Sequence, residues 1–185
     1  MSGESDGNVP EIFKWPKKPL GFLVSHRWIP GKPDHGEQYL SLGYQILPSL
    51  RAGIDYRPLT RDIGALVNWR VFPENNTWRP ALMLGTSNDD FGNINSQSYF
   101  ATLSKALPPW KDITVSPFIG ANYIEKLDDV RPIGGLHLRR KQFSIMFAHS
   151  GVDEHLTFSY NLGNHTFSIL FFDLRLPGTA WAFRF

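Results

Sequence analysis

The 185-residue chain contains no cysteine, so disulfides, thiolate metal sites and cysteine catalysis are all excluded. It has no run of about 18 apolar residues, which excludes a transmembrane helix. Its first twenty residues, MSGESDGNVPEIFKWPKKPL, lack the apolar stretch of a secretory leader. An exported form would therefore be represented here by its mature part, with a replacement Met1. Charge is also scarce: 19% of residues are charged and the formal net charge is +2, with Lys and Arg spread along the chain. That spread leaves no footprint for nucleic acid, and Lys14, Lys17 and Lys18 read as part of a solvated tail. A Gly-rich phosphate loop, zinc-ligand spacing and a dinucleotide fingerprint are all missing from the sequence, so no cofactor or metal is expected.

What is present is aromatic, with 14 Phe, 6 Tyr and 6 Trp, and rich in turn formers, with 16 Gly and 14 Pro. A chain this aromatic folds. Residues 1–19 are polar, with Gly, Ser and Pro, and predict a flexible tail. From residue 20 to 185 the dominant signal has a period of two residues. Leu50, Ala52, Ile54 and Tyr56 alternate with Arg51, Gly53, Asp55 and Arg57. Ile63, Ala65, Val67, Trp69 and Val71 alternate with Asp62, Gly64, Asn68 and Arg70, Leu66 being the exception. The same alternation runs through 39–46, 113–123, 155–161 and 180–185. Such a pattern keeps its two faces apart only in a strand.

Turn signals between the segments predict about twelve strands in an all-β, antiparallel up-and-down barrel. Gly163-Asn164, Arg140-Lys141, Leu47-Pro48-Ser49 and the stretch near Pro108-Pro109-Trp110 predict tight turns. Pro30–Glu37, Ser87–Gln97 and Ile124–Val130 predict longer connections at the opposite end, the pattern of outer-membrane barrels.

Alternation alone does not decide which face is buried. An apolar face turned inward gives a soluble barrel that holds a small apolar ligand; turned outward, it meets lipid. Three features favour lipid. Trp28, Trp69, Trp78, Trp110 and Trp181 fall near predicted strand termini, where a membrane-interface girdle places aromatics, although Trp also packs soluble cores. The polar faces mix glycines with Arg and Asn, as an enclosed interior requires. The chain ends Trp-Ala-Phe-Arg-Phe, and a terminal Phe185 with aromatics at alternate positions resembles the C-terminal strand signal of bacterial outer-membrane proteins.

Residues 51–58, RAGIDYRP, and 78–105, WRPALMLGTSNDDFGNINSQSYFATLSK, place Tyr-Arg-Pro at a strand end, then Arg-Pro-Ala, an apolar strand, an Asp/Gly loop and a strand ending Ser-Lys. This order resembles the YjbH-like outer-membrane barrels associated with bacterial exopolysaccharide, over about a third of the chain. Members of that family are longer, so this chain would be a reduced or divergent version. The resemblance implies a bacterial outer-membrane location and a non-enzymatic role in polysaccharide export or surface organisation. The implied partners are outer-membrane lipid, an anionic polysaccharide and other export-system proteins. It carries over no catalytic residue.

The interior candidates are Arg51, Asp55, Arg57, Asn68, Arg70, His137, Arg139 and Arg184. Mutual neutralisation across the lumen would fill the barrel; an uncompensated positive lumen would favour anionic sugars. The first is the expectation. His149-Ser150 with Glu154 invites a lipid-hydrolase reading, but adjacent residues point to opposite faces, so His149 would not activate Ser150. Asp89, Asp90, Asn93 and Asn95, and separately Asp34, His35 and Glu37, offer oxygen or imidazole donors but match no EF-hand spacing. They read as loop residues.

Overall fold

The computed structural model describes residues 21–31, 37–75, 77–88 and 96–185. The tail expected over 1–19 lies outside them, as do Asp34, His35, Asp89, Asp90, Asn93 and Asn95. Twelve strands follow in order: β1 Phe22–Trp28, β2 Gln38–Leu47, β3 Leu50–Arg57, β4 Asp62–Phe72, β5 Ala81–Ser87, β6 Ser98–Ser104, β7 Thr114–Ile124, β8 Asp129–Arg140, β9 Phe143–His149, β10 Glu154–Leu162, β11 His165–Phe172 and β12 Leu176–Arg184. Each pairs antiparallel with its neighbours in sequence, and β1 pairs with β12, closing an up-and-down barrel. The closing register runs from Leu23 opposite Arg184 to Trp28 opposite Thr179. Phe22 and Phe185 exchange backbone N–H···O bonds of 2.8 and 3.0 Å just beyond it. Closure leaves no strand with an unpaired edge.

The two ends differ. At the turn end, where the described chain begins and finishes, Pro48-Ser49, Lys141-Gln142 and Gly163-Asn164 link β2–β3, β8–β9 and β10–β11 in two residues each. Gly163 sits at φ 59°, which a glycine adopts without a steric cost, and Lys141 at φ 51°, which costs a residue with a Cβ about 1–2 kcal/mol. At the opposite, loop end lie the connections 29–37 and 88–97, along with four shorter ones of three or four residues.

Two expectations change here. The tight turn near Pro108-Pro109-Trp110 is instead a nine-residue connection, 105–113. It is tied to β7 by Lys105 N–H to Pro117 O and Leu107 N–H to Val115 O, and closed by a Trp110–Ile113 bridge. These bonds carry the chain alongside β7 beyond the end of β6, and Pro108 and Pro109, which have no N–H to continue the pairing, precede the reversal at Trp110–Ile113. The long connection expected over Ile124–Val130 is only 125–128, a single 3₁₀ turn with Asp128 in the left-handed region. With the eight-residue β4–β5 connection 73–80 also at the turn end, the length asymmetry is weaker than the sequence predicts.

Burial is inverted relative to a water-soluble barrel. Among the described residues seven hydrophobic side chains are buried, whereas thirty-one large ones are exposed. The buried polar set includes Gln45, Arg51, Asp55, Arg57, Asn68, His137 and His155. The closed register carries this through every strand, because residues paired across a ladder share a face. Leu40, Leu42, Ile54, Ile63, Ile119, Phe147, Phe158 and Ile169 therefore lie on one continuous outer wall. Strands of seven to twelve residues, at about 3.3 Å per residue and a tilt of about 40°, give a wall roughly 18–30 Å high.

Candidate functional site

Interior positions recur at every second residue of each strand, and large side chains there are seated over glycines. Arg51 crosses Gly43, its Cδ 3.0 Å from where a Cβ would stand. Phe118 lies over Gly135, with ring atoms 2.8 Å from such a Cβ, and Phe100 covers Gly85 in the same way. Gly43, Gly135 and Gly85 are thus sockets, where a side chain would intrude on the space the arginine or ring takes up.

The loop end of the interior is built around Asp55, which is fully buried. Its Oδ2 accepts hydrogen bonds from Tyr39 Oη at 3.1 Å, the Asn88 backbone N–H at 3.0 Å and Ser87 Oγ at 3.4 Å. Arg57 Nη2 donates to Asn88 Oδ1 at 2.7 Å, and the Arg27 guanidinium stands 4.9 Å from the Tyr39 ring centroid. Asn88 folds inward because Gly64 leaves it space: a Cβ on Gly64 would collide with both Asn88 Cβ and Asp55 Oδ1. On the adjoining wall formed by β1, β12 and β11, the first residue after β1, Ile29, is fully buried against Leu170, Phe172, Leu176 and Ala180. Its N–H donates to Glu37 O at 2.8 Å, and His155 packs on Phe172 at 4.8 Å between centroids.

Toward the turn end, Gln45 Nε2 donates to Leu47 O at 2.6 Å and Leu50 O at 3.2 Å, and Arg51 Nε donates to Gln45 Oε1 at 3.3 Å. Arg70 Nη2 reaches Pro48 O at 3.4 Å. Small hydroxyls pair on the inner face at two places, Ser25–Ser41 at 2.6 Å between β1 and β2 and Ser159–Ser168 at 2.8 Å between β10 and β11.

Of the eight residues expected inside, Arg51, Asp55, Arg57, Asn68 and His137 are buried, and Arg70, Arg139 and Arg184 are half-buried on the same face. Asp55 and Arg57 come together through Asn88. Arg184 and Gly43, which seats Arg51, flank Leu23 on the same face at the turn side. Participants not singled out from sequence include Arg27, Tyr39, Asn88 and Ile29. Tyr39 already falls on the polar face of the 39–46 alternation, and Arg27 could have been found by extending that alternation back through 23–27. Asn88 and Ile29 sit in connections, where no periodicity applies. Counted over the interior positions of the strands, Arg27, Arg51, Arg57, Arg70, Arg131, Arg139 and Arg184 stand against Asp55, Asp62 and Asp129, a formal excess of +4.

The six aromatics expected at an interface are all exposed: Trp28 43%, Trp69 44%, Trp78 82%, Trp110 68%, Trp181 37% and Phe185 60%. Trp28 marks the loop end, with its Nε1 donating to Glu37 at 3.1 Å. The other five lie toward the turn end, where Trp181, Phe183, Phe185 and Phe22 stack in series, each ring centroid 5.5–6.3 Å from the next. Tyr99 and Tyr123, 6.4 Å apart, form a smaller pair near the loop end.

His149 and Glu154 do meet, Nδ1 to Oε1 at 3.2 Å, on the outer face at the loop end. Among the described residues, the structure gives no hydrogen bond between His149 and Ser150 among the contacts of the Ser150 hydroxyl. Its Oγ accepts N–H bonds from Val152 and Asp153 and donates to Asp153 O at 3.2 Å, closing its own turn. Among the described residues no three His, Asp or Glu side chains converge as a metal site. No family model and no curated protein matches the chain.

Proposed function

We propose that this chain is a non-enzymatic, membrane-spanning β-barrel of the bacterial outer membrane, acting as a channel or structural element in the export of an anionic surface polysaccharide. One observation carries the membrane reading. Among the outward positions of the twelve strands the only Lys, Arg, Asp or Glu are Arg140 and Glu154, each the terminal residue of its strand. Evolution in water has no reason to keep charge off an entire solvated wall while burying arginines, since exposed charge costs nothing there and buried charge costs several kcal/mol. In lipid the preference reverses. The alternative of a soluble barrel around an apolar ligand fits poorly, because the interior that would hold the ligand carries Arg51, Asp55 and His137.

The anionic cargo is supported by the interior excess of arginine over aspartate, and the Ser25–Ser41 and Ser159–Ser168 pairs add hydroxyls suited to a hydrated polymer. The polysaccharide association rests on the resemblance of residues 51–58 and 78–105 to YjbH-like barrels. The Asp55 network and the Ile29 cluster fill the loop end along adjoining strands, from β11 through β1 to β3, which favours a gated or structural role over a wide pore.

Detergent partitioning, followed by gel migration with and without boiling, tests the reading. Recovery only in detergent, with a compact form that converts on heating, is the expected outcome. A monomer that remains in buffer without detergent would end the membrane and export readings together.

A further inference from the structure

The wall explains the exposed aromatics of the strands, but not those in connections. Trp78, 82% exposed, and Trp110, 68% exposed, lie in the β4–β5 and β6–β7 connections, both at the turn end. Basic side chains accompany them. Lys111 Nζ stands 5.2 Å from the Trp110 ring centroid and Arg79 Cζ stands 5.7 Å from that of Phe72. The two connections form one surface: the Ala106 N–H donates to Glu74 Oε2 at 2.9 Å, and Lys105 Nζ donates to Asn75 O. The β8–β9 turn adjoins it through Arg140 Nε and Asp112 Oδ2 at 2.7 Å, which brings Lys141 alongside.

The charge of the two ends is opposed. Over the described connections and the residues that terminate the strands, the turn end has six basic and two acidic side chains, and the loop end has four basic and eight acidic. The same end thus gathers rings that sit at the headgroup level and cations that an anionic surface attracts at roughly five-fold in affinity per side chain. Solvated cations alone would not require the exposed indoles, and an uncharged girdle would not require the cations.

We infer that the turn end is a contact face for anionic phospholipid headgroups, with Trp78 and Trp110 at headgroup depth and Arg79, Lys111, Arg140 and Lys141 on the phosphates. The inference rests on the membrane-spanning reading and adds to it a lipid class and an orientation: the turn end faces the phospholipid leaflet, and the acidic loop end faces away.

The test reconstitutes the full chain into nanodiscs of phosphatidylcholine containing phosphatidylglycerol. Tryptophan quenching by brominated phosphatidylglycerol is compared with quenching by brominated phosphatidylcholine at equal mole fraction. The expected result is a preference for phosphatidylglycerol at low salt that weakens as salt rises. It should fall at least ten-fold in a Lys111→Gln, Arg140→Gln, Lys141→Gln variant, and remain in Arg175→Gln at the other end. All four positions are exposed, and heat-modifiable migration verifies that each variant folds. Equal quenching by the two lipids in a properly inserted barrel would overturn the inference while leaving the membrane reading intact; failure to insert into any bilayer would instead remove that reading. A preference that survives the triple variant, or displacement of phosphatidylglycerol by equimolar lipid A, would also overturn it.

Discussion

Arginine placed at two depths of the outer wall separates lipid from water as its surroundings. Ile119 is the middle residue of β7 and 68% exposed, and Val130 is the second residue of β8 and 62% exposed. Both point outward, and Val130 pairs with Tyr123, four residues from Ile119 along β7. Replacing either with Arg loses a β-branched side chain in a strand, a cost of up to about 1 kcal/mol that the two substitutions share. If the wall faces water, nothing else distinguishes them, and both changes stay within about 0.5 kcal/mol of each other. If it faces lipid, Ile119→Arg puts a guanidinium near the bilayer centre at about 2–4 kcal/mol, whereas Val130→Arg reaches the interface at about 0–1 kcal/mol. The expected difference is about 2–3 kcal/mol, or roughly 30- to 150-fold in the folding equilibrium. Urea titration of the protein folding into short-chain lipid vesicles, followed by tryptophan fluorescence, measures it. Equal destabilisation by the two arginines would refute the assignment of the outer wall to lipid.

The interior makes its own predictions. Asp55→Ala should destabilise by about 2–4 kcal/mol, because three donors lose a charged acceptor, and Tyr39→Phe by about 1–2 kcal/mol. The double variant should cost less than their sum, and strict additivity in the same urea titration would show that the two side chains are not coupled. Gly64→Ala should cost about 1–3 kcal/mol by overpacking, and should expel Asn88 from the interior; faster proteolysis of the 88–97 connection reports that expulsion. The Arg140 hydrogen bond holds the Asp112 carboxyl below its usual range. A carboxyl with a depressed folded-state pKa adds stability above its unfolded value, and loses it as pH falls through the folded one. Arg140→Gln should therefore raise the Asp112 titration midpoint by NMR, and an unchanged midpoint would remove Arg140 as the cause. Purified protein should release no fatty acid from phospholipid or lipid A, and turnover abolished by His149→Ala would reinstate the hydrolase reading.

Much of the fold was legible in the sequence because a period of two belongs to each strand separately. The segments 50–57 and 62–71 showed Arg51, Asp55, Arg57, Asn68 and Arg70 on one face before any pairing was known, and antiparallel ladders kept them there. Leu66, the exception in that alternation, faces inward, with its Cδ2 3.9 Å from where a Gly43 Cβ would stand. Connections were less readable. Prolines at 108 and 109 read as a reversal but lie in a nine-residue run held along β7, and nothing local marked the fold of Asn88 onto Asp55.

By itself, then, the sequence determined the strands, their two faces, the two-residue turns and the charge-poor face, since each depends on residues a few positions apart. Only the tertiary structure decided the closure of β1 on β12, which puts Arg184 beside Leu23 and on the same face as Gly43 and the Arg51 seated over it. It alone decided that the polar face is the inner one, because the direction of curvature is a property of the whole closed sheet. And it alone gathered Asp55, Asn88 and Tyr39, which come from three different parts of the chain, into one buried network, because a hydrogen bond is set by distance in space rather than by separation in sequence.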